Sequence, residues 1–189
     1  MENIALRKKI KAQRQQLSTT AQQSHSKIIC NTFLTLPEFQ HALHVAVYFS
    51  VKGEVDTSLI IEAIWQQGKK CYLPIINDDG ILDFVAYDAQ TTLIPNKFGI
   101  LEPKDKNNLF PTQQLDMVVT PLVAFDEQCN RLGMGMGYYD KTFAFLSSAT
   151  MPKLIGLAYE CQKTATIDIQ DWDIPMNQVV TEKTTYTRK

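Results

Sequence analysis

Leu6, Ile10 and Leu17 recur near helical spacing in "ALRKKIKAQRQQLS", with basic and polar residues on the other faces, and this periodicity predicts an amphipathic helix at the start of the chain. Ser18 and Thr19 carry the oxygen an N-cap needs. A second helix is therefore expected to run to about Leu36, with Ile28, Ile29, Phe33 and Leu34 on its buried side. After this pair the pattern alternates. "LHVAVYFS" is a β-branched and aromatic run of strand length, and "TSLIIEAIWQQG" is helical, with Asp56 or Thr57 as cap and Gly68 as stop. "KKCYLPII" and "ILDFVAY" read as strands joined through "NDDG" in a hairpin. "DMVVTPLVAF" is apolar throughout, as a central strand covered on both faces would be. A glycine-rich loop, a helix "YYDKTFAFLSS", a strand "KLIGLAY" and a short "QVVTE" strand after "DWDIPMN" complete the pattern.

Strands alternating with helices imply parallel neighbours joined by crossovers. The expected architecture is a three-layer α/β fold: a mostly parallel central sheet flanked by helices, with ligands at the carboxyl ends of the strands. No internal repeat is visible, and "EPKDKNN" reads as an exposed loop, not a linker, so residues 1–189 are expected to form a single domain.

Composition narrows the function classes. Nineteen Lys plus Arg against 20 Asp plus Glu give a formal charge of -1, so no global field draws the chain to nucleic acid or an anionic membrane. The polar start "MENIALRKKIKAQRQQ" lacks the apolar core of a signal peptide, and no window approaches a membrane span of about 20 apolar residues. A soluble, cytoplasmic, monomeric protein is expected. Cys30, Cys71, Cys129 and Cys161 lie far apart, without the close pairing of zinc or redox motifs, and read as free thiols.

Candidate chemistry concentrates in "RLGMGMGYYDK". Gly133, Gly135 and Gly137 carry no Cβ, so their backbone amides can approach an anion closely, and a helix starting near Tyr138 adds free N–H groups and a positive dipole end. The spacing matches neither the dinucleotide fingerprint nor the P-loop. On the glycines alone, a tight strand-to-helix turn explains the loop equally well. The flanks favour a ligand, because Arg131 offers a fixed fork of donors to phosphate and Asp140 a hard oxygen for magnesium. Arg131→Ala and Asp140→Ala are expected to abolish turnover and leave thermal unfolding nearly unchanged; large destabilisation of both would favour the turn.

"PLVAFDEQCNRLGMGMGYYDKTFA" resembles the signature of the 5-formyltetrahydrofolate cyclo-ligase family, also called 5,10-methenyltetrahydrofolate synthetases. "YFSVKGEVDTSLII", "FGILEP", "LIGLAYECQ", "WDIPMNQVVTE" and the helix "LRKKIKAQRQQLS" resemble its other blocks in the same order, so the likeness covers nearly the whole chain. The resemblance implies a Rossmann-like, CoA transferase-like sheet. It also implies ATP- and Mg²⁺-dependent cyclisation of 5-formyltetrahydrofolate to 5,10-methenyltetrahydrofolate, with release of ADP and phosphate.

By that resemblance the ATP site comprises Arg131, Leu132, Gly133, Met134, Gly135, Met136, Gly137, Tyr138 and Tyr139, with Arg131 neutralising charge in catalysis. A second nucleotide patch is implied at Asn3 and Arg7, where Asn3 replaces a common lysine. The metal carboxylates are implied to be Asp140 and Asp173, and Asn177 departs from a frequent Asp. Phe49 and Glu54 are implied to meet the folate, with residues 134–138 as a wall shared with the γ-phosphate; Met134 and Met136 stand where several relatives carry Gly, Arg or Lys. Asn3, Asn177 and the two methionines keep open a folate- or nucleotide-binding protein without turnover. A nicotinamide-dependent oxidoreductase rests on glycine content alone.

Overall fold

The computed structural model describes residues 2–96, 99–147 and 150–189. Helices α1 (Glu2–Gln15) and α2 (Thr19–Leu34) come first, as the periodicity predicts, and Ser18 caps α2 by accepting from the Ala21 amide at 3.2 Å. Ile29, Cys30 and Phe33 form the buried side of α2; Ile28, expected among them, is 43% exposed because it lies off that stripe. A short α3 (Pro37–His41), with proline in its first turn, leads into strand β1 (His44–Ala46). Helix α4 (Ser58–Gln66) follows; Thr57 is its N-cap position, while Asp56 Oδ1 accepts from the Ser58 amide at 2.9 Å.

Strands β2 (Lys70–Ile76) and β3 (Leu82–Tyr87) form the expected antiparallel hairpin, closed by Asn77 and Gly80, whose φ is 71°. Sequence reading missed a second hairpin, β4 (Leu93–Pro95) with β5 (Leu101–Pro103), and the edge strand β6 (Leu109–Phe110). Their runs are too short for periodicity to register. The "EPKDKNN" loop begins inside β5, where Glu102 is buried and accepts from Lys106 at 2.7 Å. Phe98, in the "FGILEP" block, lies outside the described residues, as does Ser148 at the end of the helix expected over "YYDKTFAFLSS".

"DMVVTPLVAF" is not one strand. It supplies β7 (Met117–Pro121), then bends, and β8 (Ala124–Phe125) leaves the sheet to pair antiparallel with β9 (Arg131–Leu132). Pro121 has no N–H to extend the ladder. The carbonyls freed at the bend, those of Leu122 and Val123, accept from the buried Gln162 amide at 2.9 and 3.0 Å. After the glycine loop, α5 (Tyr138–Thr142) is only five residues long and passes into 3₁₀ turns at Ala144–Ser147. Strands β10 (Lys153–Leu157), β11 (Gln178–Val180) and the unexpected β12 (Thr185–Thr187) complete the sheet.

The eight-stranded order is β12-β11-β10-β7-β1-β2-β3-β6, parallel from β11 to β2 and antiparallel at the edges. Alternation sorts its side chains onto two faces. Val45, Met117, Val119, Ile155 and Val180 face α2, α3 and α4, while Ala46, Val118, Leu154 and Val179 face Phe143 and the segments around it. This is the mostly parallel, helix-flanked α/β fold the sequence implies. Helix α1 stands apart from both faces, burying Ile10 against Val123, Ala124 and Leu132 of the β8–β9 ribbon.

Candidate functional site

A cavity of about 360 Å³ opens at the carboxyl ends of the parallel strands. Tyr48 and Phe49 follow β1, Pro74 and Ile76 end β2, and Pro121 and Leu122 end β7. Ile100 and Leu101 of the second hairpin line it too, with Gly133, Met134 and residues 136–140 completing the lining; Met134 and Met136 are largely exposed. The lining is mostly apolar, with Glu54, Lys52, Arg131 and Asp140 as its charged members.

The path into the glycine loop is set by a buried carboxylate. Asp126 accepts from the amides of Gln128 and Asn130 at 3.1 and 3.0 Å through Oδ1, and from the Asn130 side chain at 2.9 Å through Oδ2. This Asx-type loop returns the chain into β9 and delivers Arg131 to the cavity. The guanidinium is 4% exposed, donates from Nη2 to Asp140 Oδ1 at 2.5 Å, and lies 5.4 Å from the Tyr139 ring centre. Burial lowers the Arg131 pKa, opposed by the charges of Asp140 and Asp173; arginine's very high starting value keeps it protonated.

Beyond β9 the backbone turns outward. Gly135 has φ 107° and Gly137, at the N-cap of α5, has φ 67°, conformations that L side chains rarely adopt. Among the described residues, no protein acceptor meets the backbone N–H groups of residues 133–139. Arg7 reaches the same loop from α1: its Nε donates to Gly133 O at 2.9 Å, and its guanidinium would lie 3.7 Å from a Cβ at Gly135. Asn3 does not join it. Its side chain donates instead to Asp168 O at 3.0 Å on the surface.

Elsewhere in the lining, Glu54 Oε2 accepts from the Val51 amide at 3.1 Å. Burial raises its pKa, and the Val51 amide, Arg14, Lys52 and Lys11 oppose the shift. Burial also pushes the Tyr139 phenol up, with Arg131 and Glu54 both acting on it, so this hydroxyl stays protonated between the two charges. Phe49 meets Tyr87 edge to face at 5.5 Å.

Of the residues singled out from sequence, Phe49, Glu54, Arg131, Gly133, Met134, Met136, Gly137, Tyr138, Tyr139 and Asp140 line the one cavity. Arg7 touches the loop from behind, and Leu132 is buried against α1. Asp173 bears on Arg131 electrostatically while its Oδ2 accepts from the Gln170 amide at 2.9 Å. Asn177 is a ladder residue: its Oδ1 accepts from the Leu154 amide at 2.7 Å and its own amide donates to Leu154 O at 2.8 Å. Sequence reading missed Tyr48, Leu122 and the second hairpin. The carboxyl-end rule applied to "AVYFS" reaches Tyr48; nothing local marks the hairpin.

Among the described residues, no three His, Cys, Asp or Glu side chains gather as a metal cluster. Asp140 Oδ1 serves Arg131 and the Ile174 amide, and Asp173 Oδ2 serves Gln170. Each carboxylate keeps its other oxygen without a protein donor among the described residues. A carboxylate with one oxygen left over is a donor of the kind Mg²⁺ takes, commonly one or two of them together with phosphate oxygens and water.

A cavity of this kind, apolar with a few convergent polar groups at the carboxyl edge of an open sheet, defines an α/β protein with a small-molecule site. Residues 1–182 match the model of the 5-formyltetrahydrofolate cyclo-ligase family. The chain is 39% identical over 176 residues to the 5-formyltetrahydrofolate cyclo-ligase of Escherichia coli K12, covering 91% of this chain and 96% of that one. It is 36% identical over 179 residues to the cyclo-ligase of Haemophilus influenzae, covering 93% and 95%. The solved 5,10-methenyltetrahydrofolate synthetase of Aquifex aeolicus superposes with a TM-score of 0.85 at 30% identity, covering 99% of this chain and 93% of that one. The chain belongs to the 5-formyltetrahydrofolate cyclo-ligase family and is an enzyme of that class.

Proposed function

We propose that the protein converts 5-formyltetrahydrofolate and ATP to 5,10-methenyltetrahydrofolate, ADP and phosphate in the presence of Mg²⁺. The observation that carries this reading is the run of amides at 133–139, unpartnered among the described residues and set beside the buried Arg131 in the lining of a cavity that also holds Glu54. Backbone donors without internal partners, a cation and a helix start are what a phosphoryl group requires. An apolar slot with one half-buried carboxylate suits a flat pterin, whose N–H groups Glu54 accepts from.

A formamide oxygen is a poor leaving group, and ATP solves that problem. The formyl oxygen attacks the γ-phosphorus and ADP leaves; N10 closes onto the activated carbon; phosphate then departs with the C–O bonding pair, and N10 gives its proton to solvent. Phosphoryl transfer depends chiefly on positioning and charge stabilisation, so no protein nucleophile is needed. Arg131 and the loop amides neutralise charge on the transferring group, with Arg7 steadying the loop through Gly133. Phe49, Met134, Met136 and Tyr138 enclose the pterin, and the soft thioethers adapt to its face. Asp140 and Asp173 would hold Mg²⁺, which supplies charge neutralisation at the phosphates.

Asn177 hydrogen-bonds Leu154 of β10 just ahead of β11, a contact an Asp carboxylate could equally accept, so its departure from Asp lends little support to a protein without turnover. The test is direct: purified protein with ATP, Mg²⁺ and 5-formyltetrahydrofolate should produce the ultraviolet absorbance of the methenyl product together with one phosphate per turnover. Ligand uptake without phosphate release by folded protein would replace the enzyme reading with a binding one.

A further inference from the structure

Glu54 sits on an unusual turn. Lys52 and Gly53 both have positive φ, 53° and 75°, and the Glu54 amide donates to Val51 O at 3.1 Å, the geometry of a type I′ turn. Glycine suits the second of these positions; lysine rarely enters the left-handed region of the first. Something outside the turn must therefore favour this shape. Arg14, in the last turn of α1, donates from Nη2 to Lys52 O at 3.0 Å. The residue is almost fully buried, 4% exposed, and its Nε has no partner among the described residues. An arginine kept from water for one backbone carbonyl contributes little as a surface contact. It makes sense as a clamp.

We propose that Arg14 is a positioning residue for the substrate cavity: its guanidinium holds the turn at 51–54 in its left-handed shape and so fixes the Glu54 carboxylate against the space the folate occupies. Gln22 packs behind Gly53, 3.5 Å from where a Cβ would lie, and the Tyr159 hydroxyl donates to Glu54 O at 3.3 Å, so the turn is held from three sides. Arg14 is the clamp that also carries charge toward Glu54; Lys11, Lys52, Tyr48 and Tyr139 are the other titratable groups bearing on it. Arg7 stands seven residues earlier on α1, about 10 Å along the axis, and donates to Gly133 O, another residue of the lining. One helix thus braces two segments of the lining.

This inference rests on the proposed cyclisation for its kinetic readout. Arg14→Met should raise KM for 5-formyltetrahydrofolate about tenfold, the size expected for one charged hydrogen bond, while kcat and KM for ATP stay within about twofold. The acid limb of the kcat/KM profile for the folate should move to higher pH as Glu54 loses a nearby cation. Arg14→Lys, which keeps the charge and a donor, should restore most of the folate KM. An unchanged folate KM, an equal rise in the ATP KM, or no rescue by lysine would overturn the assignment. Should the wild-type protein show no turnover, the cyclisation reading fails and hydrogen exchange decides on Arg14 alone. Faster exchange at the Val51 and Glu54 amides, with β10 unchanged, supports the clamp; unchanged exchange at 51–54 removes it.

Discussion

Arg131 Nη2 lies 2.5 Å from Asp140 Oδ1, and the two ends of this pair are unequally buried: the guanidinium is 4% exposed and the carboxylate 20%. The pair argues against the expectation that either residue can be removed with unfolding nearly unchanged. Removing Asp140 orphans a buried cation, whereas removing Arg131 leaves a more exposed carboxylate that still accepts from the Ile174 amide. Asp140→Ala should therefore destabilise by about 2–3 kcal/mol, below the range for fully buried pairs because solvent reaches one partner. Arg131→Leu should lose about 1–2 kcal/mol, and the double variant less than the sum. Urea unfolding at pH 7 measures all three. Strict additivity would mean that the pair does not form in solution. Both single variants should lose turnover, so loss of activity here does not separate a ligand role from a structural one.

Gly133 does separate them. Its φ is not positive, and among the described residues a Cβ there would meet nothing within 4 Å. Gly133→Ala should leave unfolding within about 0.5 kcal/mol of wild type. In the proposed complex, however, that methyl group stands where phosphate oxygens approach the amide, and KM for ATP should rise at least about tenfold. Gly135→Ala makes the contrast: at φ 107° the alanine is strained, and a loss of about 1–2 kcal/mol is expected before any ligand is added. An alanine at 133 that binds ATP normally would mean that the phosphates do not use this loop.

Glu54 makes a pH-dependent prediction. Burial holds its carboxyl above the ordinary value of 4.5, so the folded protein binds that proton more tightly than the unfolded chain does. The stability linked to the protonated form is complete below about pH 4.5 and is lost as pH rises through the higher folded value. Glutamine has no such proton and can still accept from the Val51 amide. The Tm of Glu54→Gln minus that of wild type should grow between pH 4 and pH 8, while affinity for the folate falls. A difference that stays flat across this range would show that the carboxylate is not held in a desolvated place.

Long periodic segments were legible in the sequence: α1, α2, α4 and the β2–β3 hairpin occur near the expected positions, because burial of one face dictates their pattern. The run 116–125 misled because an unbroken apolar stretch is equally compatible with a strand, a bend and a ribbon, all of them buried. Pro121 was the available sign, and its consequence depended on the distant Gln162 side chain. The candidate site followed the same rule. Residues 131–140 were legible because glycine, arginine and aspartate stand together in one segment. Arg14 was not, since its partner is a carbonyl 38 residues away and no side-chain pattern reports a carbonyl.

Gly156, in the middle of β10, links the core to the cavity. A Cβ there would stand 2.7 Å from Leu122 Cδ2, 3.2 Å from Val179 Cγ2 and 3.4 Å from Met176 Cγ. Leu122 lines the cavity, and Met176 places its sulfur 3.9 Å from Arg131 Nη1. The sheet on either side leaves the backbone little room, so Leu122 is the group that must move. Gly156→Ala should destabilise by about 1–3 kcal/mol, the range for overpacking, even though alanine lowers the entropy of the unfolded chain. The displaced Leu122 narrows the slot, so KM for the folate should rise more than KM for ATP. Shortening the obstructing side chain provides the internal control: Gly156→Ala with Leu122→Val should recover part of both losses, because the valine lacks the Cδ2 atom that clashes. A double variant no better than Gly156→Ala alone would place the strain on Val179 instead and remove the connection between this strand and the substrate wall.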